Sequence, residues 1–230
     1  MAGLVEAAPL LPIRQTRLAS RLPSRDSQHM TDDEVFDRDY WEQRYAAAGL
    51  TWSGAPNAVL VTETSALTPG RALDIGSGEG GDAIWLASRG WTVTGVDISQ
   101  NALDKAAARA ASVGAEVSWE QHDLSEWMPP PASFDLVTSH FMHLPAALRR
   151  PLFGALAAAV APGGTLLIVG HDLSGDHEHH SELMFSVDDV LADIDSAGLQ
   201  VEVAESRSRP STSAQGEPRS VSDVVVRATK

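Results

Sequence analysis

The chain has 230 residues, 43% of them apolar, and a formal net charge of −14. That length suits one α/β domain with a substantial core, or at most two small ones. No apolar run reaches bilayer length. The acidic balance argues against nucleic acid or an anionic membrane as the main partner. The absence of cysteine removes disulfides, thiolate metal sites and cysteine nucleophiles, and is compatible with a cytoplasmic location.

Residues 1–29 stand apart. Arg14, Arg17, Arg21 and Arg25 face only Glu6 and Asp26, and Pro9, Pro12 and Pro23 interrupt any helix. We expect a disordered extension, or a start placed upstream of Met30. Residues 30–70 read as a helical cap. Thr31-Asp32-Asp33-Glu34 is a capped helix start with acids in the first turn, and Val35, Phe36, Tyr40, Trp41 and Tyr45 follow before Gly49. A turn-rich segment, Thr51 to Asn57, leads into a short helix from Ala58 to about Ala66.

From Arg71 to the end, strands and helices alternate, which implies a doubly wound α/β sheet with helices on both faces. The expected strands are Arg71–Ile75, Trp91–Asp97, Glu116–His122, Phe134–Ser139, Thr165–Val169, Val201–Ala204 and Asp223–Ala228. Between them, Ser99 caps a helix that ends by Gly114, Pro145 opens the next, and Ser186 caps a third stopped by Gly198. Pro162-Gly163-Gly164 reads as a sharp turn into the fifth strand. Arg207–Ser220, rich in Ser, Pro and Gly, reads as a loop.

The most informative stretch is Asp74-Ile75-Gly76-Ser77-Gly78-Glu79-Gly80-Gly81. An apolar strand ends on an acid, a glycine-rich turn follows, and a helix begins at once, offering unpaired N–H groups to a ligand in the turn. Gly76, Gly78 and Gly81 also satisfy the dinucleotide pattern, with Asp97 about 20 residues on. Asp74 tips the balance, because a carboxylate there repels a pyrophosphate yet suits an ammonium and a sulfonium. Asp97, at the end of the second strand, is placed to accept both ribose hydroxyls, with Ile98 beside the base. Asp123, in Gln121-His122-Asp123-Leu124, is a third acid at a strand end.

The acid-x-Gly-x-Gly-x-Gly pattern resembles motif I of the class I S-adenosylmethionine-dependent methyltransferases. The run from Tyr40-Trp41 to Trp52-Ser53-Gly54-x-Pro56-Asn57 resembles the opening of small bacterial members related to the tellurite-resistance and thiopurine types. The resemblance covers roughly Asp39 to the C-terminus. It implies a Rossmann-like seven-stranded sheet with the last strand antiparallel beside the fifth. It implies S-adenosylmethionine as cofactor and S-adenosylhomocysteine as product, held by Asp74, Gly76, Ser77, Gly78, Asp97, Ile98, Asp123, Leu124 and Ser139. It also places the loop after strand four, Ser139-His140-Phe141-Met142-His143, at the acceptor.

His140 and His143 are therefore candidate catalytic bases and acceptor contacts, with Trp52 and His171 as further substrate contacts. The sulfonium is already activated, so a thiolate or free amine needs only alignment, whereas an alcohol or phenol needs a base. The acceptor is expected to be a small molecule, its atom open between oxygen, nitrogen and sulfur. No metal is expected. The group His171, His177, His179 and His180, with Asp172 and Asp176, has suitable ligand types, but a solvated loop explains it as well. From Pro151 to Ser206 there is no Lys or Arg, which reads as a negative face. Two rival readings stay open: a nicotinamide-dependent oxidoreductase using the same glycines, and a non-catalytic S-adenosylmethionine-binding protein.

Overall fold

The computed structural model describes residues 37–142, 144–173, 183–212 and 218–230. The expected extension, the helix start at Thr31, His143, and the histidine-rich run with His177, His179 and His180 lie outside the described residues. In chain order the elements begin with α1 (Arg38–Tyr45), α2 (Ala58–Thr64), β1 (Arg71–Ile75), α3 (Gly81–Ser88), β2 (Thr92–Asp97) and α4 (Gln100–Val113). They continue with β3 (Val117–Gln121), β4 (Phe134–His140), α5 (Ala146–Ala159), β5 (Val160–His171), α6 (Val187–Ile194), β6 (Gln200–Thr212) and β7 (Pro218–Thr229). Among the described residues no helix is long and apolar enough to cross a membrane.

The seven strands form one sheet in the order β3-β2-β1-β4-β5-β7-β6. β1 through β5 run parallel, and β7 is antiparallel to β5. Period-two alternation sorts the core onto two faces. Leu73, Ile75, Val137, Leu166, Ile168, Val224 and Val226 pack with α5 and α6 residues such as Phe153, Leu156 and Val190. Ala72, Leu136, Leu167, Val169 and Val225 pack with Leu60 of α2 and Ala83 and Leu86 of α3. Covered on both sides, the central strands are almost wholly buried, as parallel strands must be.

The helix signals act as their chemistry requires. Ser99 accepts from Ala102 N–H and Gly114 closes α4 in the left-handed region at φ 69°. Ser186 and Asp189 form a reciprocal capping box on α6. Three expectations need correction. β5 begins at Val160, because Pro162-Gly163-Gly164 is absorbed as an irregularity between the Phe134–Val160 and Leu136–Thr165 pairs. Its Gly163 N–H and Gly164 C=O are taken up by the backbone of Lys230.

Second, the segment expected as a loop continues β6 and β7 as a hairpin, with Arg207 opposite Asp223 and Pro210 opposite Ser220. β6 is an edge strand, where a proline is tolerated. Third, the acidic stretch is not a bare negative face. Asp193 binds the buried Arg149 at 2.8 Å, Arg207 and Glu205 pair within β6, and Glu202 pairs with Arg227 of β7.

The order of strands reverses between β1 and β4, so their carboxyl ends open the crevice where ligands bind in doubly wound sheets.

Candidate functional site

Asp74 and Ser139 end neighbouring strands at that reversal. Asp74 pairs in register with Thr138 and its Oδ1 accepts from the Thr138 hydroxyl at 2.9 Å. Its carboxyl is only 2% exposed. Burial, reinforced by the charge of nearby Asp82, pushes it up to about 7, with His140 and Thr138 acting the other way.

The turn from β1 to α3 needs its glycines. Gly76, Gly78 and Gly80 all adopt positive φ. A Cβ on Gly80 would lie 2.6 Å from the Trp119 ring, and one on Gly76 would lie 2.7 Å from the Met142 methyl.

Asp97 is buried, with burial holding its carboxyl above the ordinary range. Its Oδ2 accepts from Gly78 N–H at 2.8 Å and its Oδ1 from Ser99 N–H at 2.9 Å. It thus ties the glycine turn to the start of α4 while each oxygen keeps a lone pair. Gly80 N–H is bound to Ser77 O, so fewer turn amides stay open than the glycine pattern suggests. Ile98 is half-buried and its carbonyl accepts from Gln121 at 3.0 Å. Leu124 packs on the edge of the core. Asp123 lies beyond β3, and its Oδ1 is engaged by the Ser125 N–H and hydroxyl, bonds that hold its carboxyl below the usual range.

Four buried side-chain atoms lack a hydrogen-bond partner among the described residues: Asp74 Oδ2, Ser77 Oγ, Ser139 Oγ and His140 Nε2. All four belong to the β1–α3 turn or to the carboxyl ends of β1 and β4. An unpaired buried polar atom costs about 1–3 kcal/mol, so the crevice is built for a polar ligand. A ligand with an ammonium, a sulfonium and ribose hydroxyls fits this mixture of carboxylates and hydroxyls.

The acceptor side brings together some expected residues. His140 Nδ1 lies 2.6 Å from Asp82 Oδ2, and Asp82 Oδ1 accepts from Asn57 N–H at 2.6 Å. Atoms of Asp74, Asp82 and His140 lie within 4.8 Å of one another. His171 sits one strand away, its Nδ1 3.0 Å from Asp223 Oδ1 and its ring 4.8 Å from that of Phe141. Asp223 also binds Arg209 at 2.5 Å, so Arg209 and His171 both hold its carboxyl low against the effect of burial. Phe141, between the two histidines, adopts φ 53°. Trp52 is half exposed, donates from Nε1 to Tyr45 Oη at 2.9 Å, and lies 5.0 Å from the Arg44 guanidinium. Arg44 is thus placed on an aromatic face.

Three further residues hold the cap to this site. Glu79, buried in the turn itself, accepts from Thr51 and Trp52 N–H and from Lys105. Arg109 of α4 donates to Gly54 O at 2.7 Å and also to Glu79 O. Glu42 of α1 accepts from Ser99 Oγ, Gln100 N and Asn101 N, capping α4 from another helix. The spelling of α1 flags no such partner, since the contact spans more than 55 residues. Glu42→Ala is expected to lower stability by about 1 kcal/mol, the usual cost of a lost cap, read as an earlier urea midpoint at unchanged slope.

Residues 72–164 match the family model described as a methyltransferase domain. The chain is 29% identical to probable thiol methyltransferase 2 of Arabidopsis thaliana, over 55% of this chain and 59% of that protein. It is 30% identical to the 2-heptyl-1-hydroxyquinolin-4(1H)-one methyltransferase of Mycobacteroides abscessus, over 55% of this chain and 58% of that one. The chain therefore spans under two thirds of the length of these relatives. The crystal structure of TehB from Haemophilus influenzae aligns with a TM-score of 0.66 at 16% identity, covering 84% of this chain and 66% of that one, a likeness of fold. The oxidoreductase reading of the glycines finds no support in the matched family.

Proposed function

We propose that this chain, which carries a methyltransferase domain of the class I S-adenosylmethionine-dependent type, moves the sulfonium methyl group in line onto a small-molecule acceptor in the cytoplasm. The cofactor, when bound, supplies an activated methyl group, and the protein supplies position and a dry crevice. The observation that carries this reading is the gathering of Asp74 Oδ2, Ser77 Oγ, Ser139 Oγ and His140 Nε2, all unpaired, around the glycine turn.

In this reading Asp74 meets the ammonium and Asp97 accepts from the ribose hydroxyls. Gly76 and Gly78 allow close approach, and Ile98 and Leu124 flank the adenine. Asp123, whose second oxygen is not used by Ser125, takes the adenine amino group. Trp52, His140 and His171 face the acceptor. No metal takes part, and S-adenosylhomocysteine is the product. The similar proteins that act on a thiol and on a hydroxyquinolinone support small acceptors of either kind.

Calorimetric titration with S-adenosylhomocysteine tests the reading. Micromolar binding, near −8 kcal/mol, with no heat from NAD, is the expected result. Heat from NAD alone would sink it. Tight binding of S-adenosylhomocysteine, with no methyl transfer to any of a broad acceptor set, would instead make the chain a binding protein.

A further inference from the structure

Asp82 is the second residue of α3 and His140 the last of β4, so two elements on either side of β1 bring their side chains together. The Asp82 carboxylate can only accept, so His140 Nδ1 carries the hydrogen of this 2.6 Å contact, and in the neutral imidazole Nε2 then presents its lone pair. Asp82 is itself fixed by Asn57 N–H, which also caps α2 through its side chain. The His140 side chain is 5% exposed, and its Nε2 is one of the four buried atoms at the carboxyl ends of β1 and β4 and the β1–α3 turn that lack a partner among the described residues. An imidazole held in one tautomer by a half-buried carboxylate, with the opposite nitrogen unpartnered among the described residues, is the arrangement of a general base.

Resting on the methyl-transfer reading, we propose that Asp82 and His140 act as a dyad that deprotonates a neutral hydroxyl acceptor. His140 is the catalytic base and Asp82 a positioning residue. As the acceptor oxygen bonds to the methyl carbon, its proton passes to His140 Nε2. The carbon–sulfur bond breaks and its electron pair stays on sulfur, leaving a methyl ether, a neutral thioether and an imidazolium held by Asp82.

The surrounding charge selects the acceptor's form. Asp74, Asp82 and Asp97 line the crevice, and among the described residues none of them pairs with a lysine or arginine. With the cofactor bound, Asp74 meets its ammonium and Asp97 its ribose, so the charge left beside the acceptor is the Asp82 carboxylate on His140. That charge disfavours a pre-formed phenolate or thiolate against a neutral phenol or alcohol that ionises only in place. The groups facing His140 are Asp82 from α3 and Asp74 from β1. Beyond Phe141 lie His171 of β5, Asp223 of β7 and Arg209 of β6.

The test is methyl transfer from S-adenosylmethionine to a series of phenols of graded acidity, with the wild type, His140→Gln and Asp82→Asn. S-adenosylhomocysteine affinity serves as the control for folding and for the cofactor site. Expected is a loss in kcat of at least about 100-fold for His140→Gln on weakly acidic phenols, with KM nearly unchanged. The loss should shrink on phenols already ionised at the assay pH, and imidazole in the buffer should partly restore His140→Ala. Asp82→Asn should lose less and shift the pH profile.

Equal losses across the whole series, or no loss, would overturn the dyad. So would a wild type that binds S-adenosylhomocysteine and methylates no hydroxyl compound. A wild type that binds no S-adenosylhomocysteine would overturn the methyl-transfer reading itself, a separate outcome.

Discussion

Replacing Asp74 by Asn is expected to weaken S-adenosylhomocysteine binding about 10- to 100-fold at pH 8, the worth of one charge-assisted hydrogen bond. The same change should flatten the pH dependence of that binding. In the free protein, burial and the nearby charge of Asp82 lift the Asp74 carboxyl to about 7. Below that pH it holds a proton that an ammonium partner must displace. Affinity in the wild type therefore rises with pH toward about 7 and levels off above it, and binding below 7 releases a proton.

Titrations in two buffers of different ionisation enthalpy read that release directly. The free protein shows the converse effect. Between the ordinary 3.8 and about 7 the folded state keeps a proton that the unfolded chain has lost, so stability falls as pH rises through this window. Asp74→Asn should remove that decline. Unchanged affinity in the variant, together with pH-independent binding in the wild type, would show that the carboxyl does not face the ligand.

Asp74 could be singled out from the sequence because local signals coincide there. An apolar strand ends, glycines at positive φ follow, and a helix starts, all within a few residues. The β1 boundaries expected from that pattern, Arg71–Ile75, are those observed. Asp97 was likewise marked by its place at a strand end. Asp82, Glu42 and Glu79 carried no such mark. Their roles come from partners that only the tertiary fold brings near: Asp82 with His140, Glu42 with the start of α4, and Glu79 with the cap.

The extension of β6 and β7 beyond the expected Val201–Ala204 and Asp223–Ala228 is hidden for a different reason. Its Ser-Arg alternation has the period of a strand, but Pro210 and the serines carry a turn composition. At a sheet edge such a strand needs no apolar face. His171 was expected from its place after the fifth strand, yet its partner Asp223 stands opposite it on the neighbouring β7, more than 50 residues on in the chain. Composition resolves what a segment buries, and edge strands bury little.

Glu79→Ala is expected to release the cap from the glycine turn, at a cost of about 3 kcal/mol for the Thr51 and Trp52 N–H groups left without their acceptor and the lost ion pair with the partly exposed Lys105. Glu79 is 3% exposed. Its oxygens lie 2.9 Å from Thr51 N, 3.1 Å from Trp52 N and 3.1 Å from Lys105 Nζ. Burial alone would raise its carboxyl, but these donors outweigh it and leave the group below its ordinary value. The stability it contributes is thus present above the ordinary carboxylate range and lost as pH falls through the depressed value.

Lys105 also binds Gly49 O at 2.7 Å, and Arg109 binds Gly54 O, so removing Glu79 leaves the segment from Gly49 to Gly54 tied only at its ends. Trp52 then loses the backbone anchor that sets its indole against Tyr45. Amide hydrogen exchange at Thr51 and Trp52 should accelerate at least about 100-fold, the factor for some 3 kcal/mol, with β1 and β4 amides slowed far less. Glu79→Gln, which keeps an acceptor for the two amides but not the charge opposite Lys105, should fall between. Unchanged protection at Thr51 and Trp52 in Glu79→Ala would mean that the Lys105 and Arg109 contacts at its two ends hold the segment. Because the turn carrying Glu79 is also the one proposed to cradle the cofactor, S-adenosylhomocysteine affinity should fall with the loss of protection, coupling closure of the cap to occupation of the crevice.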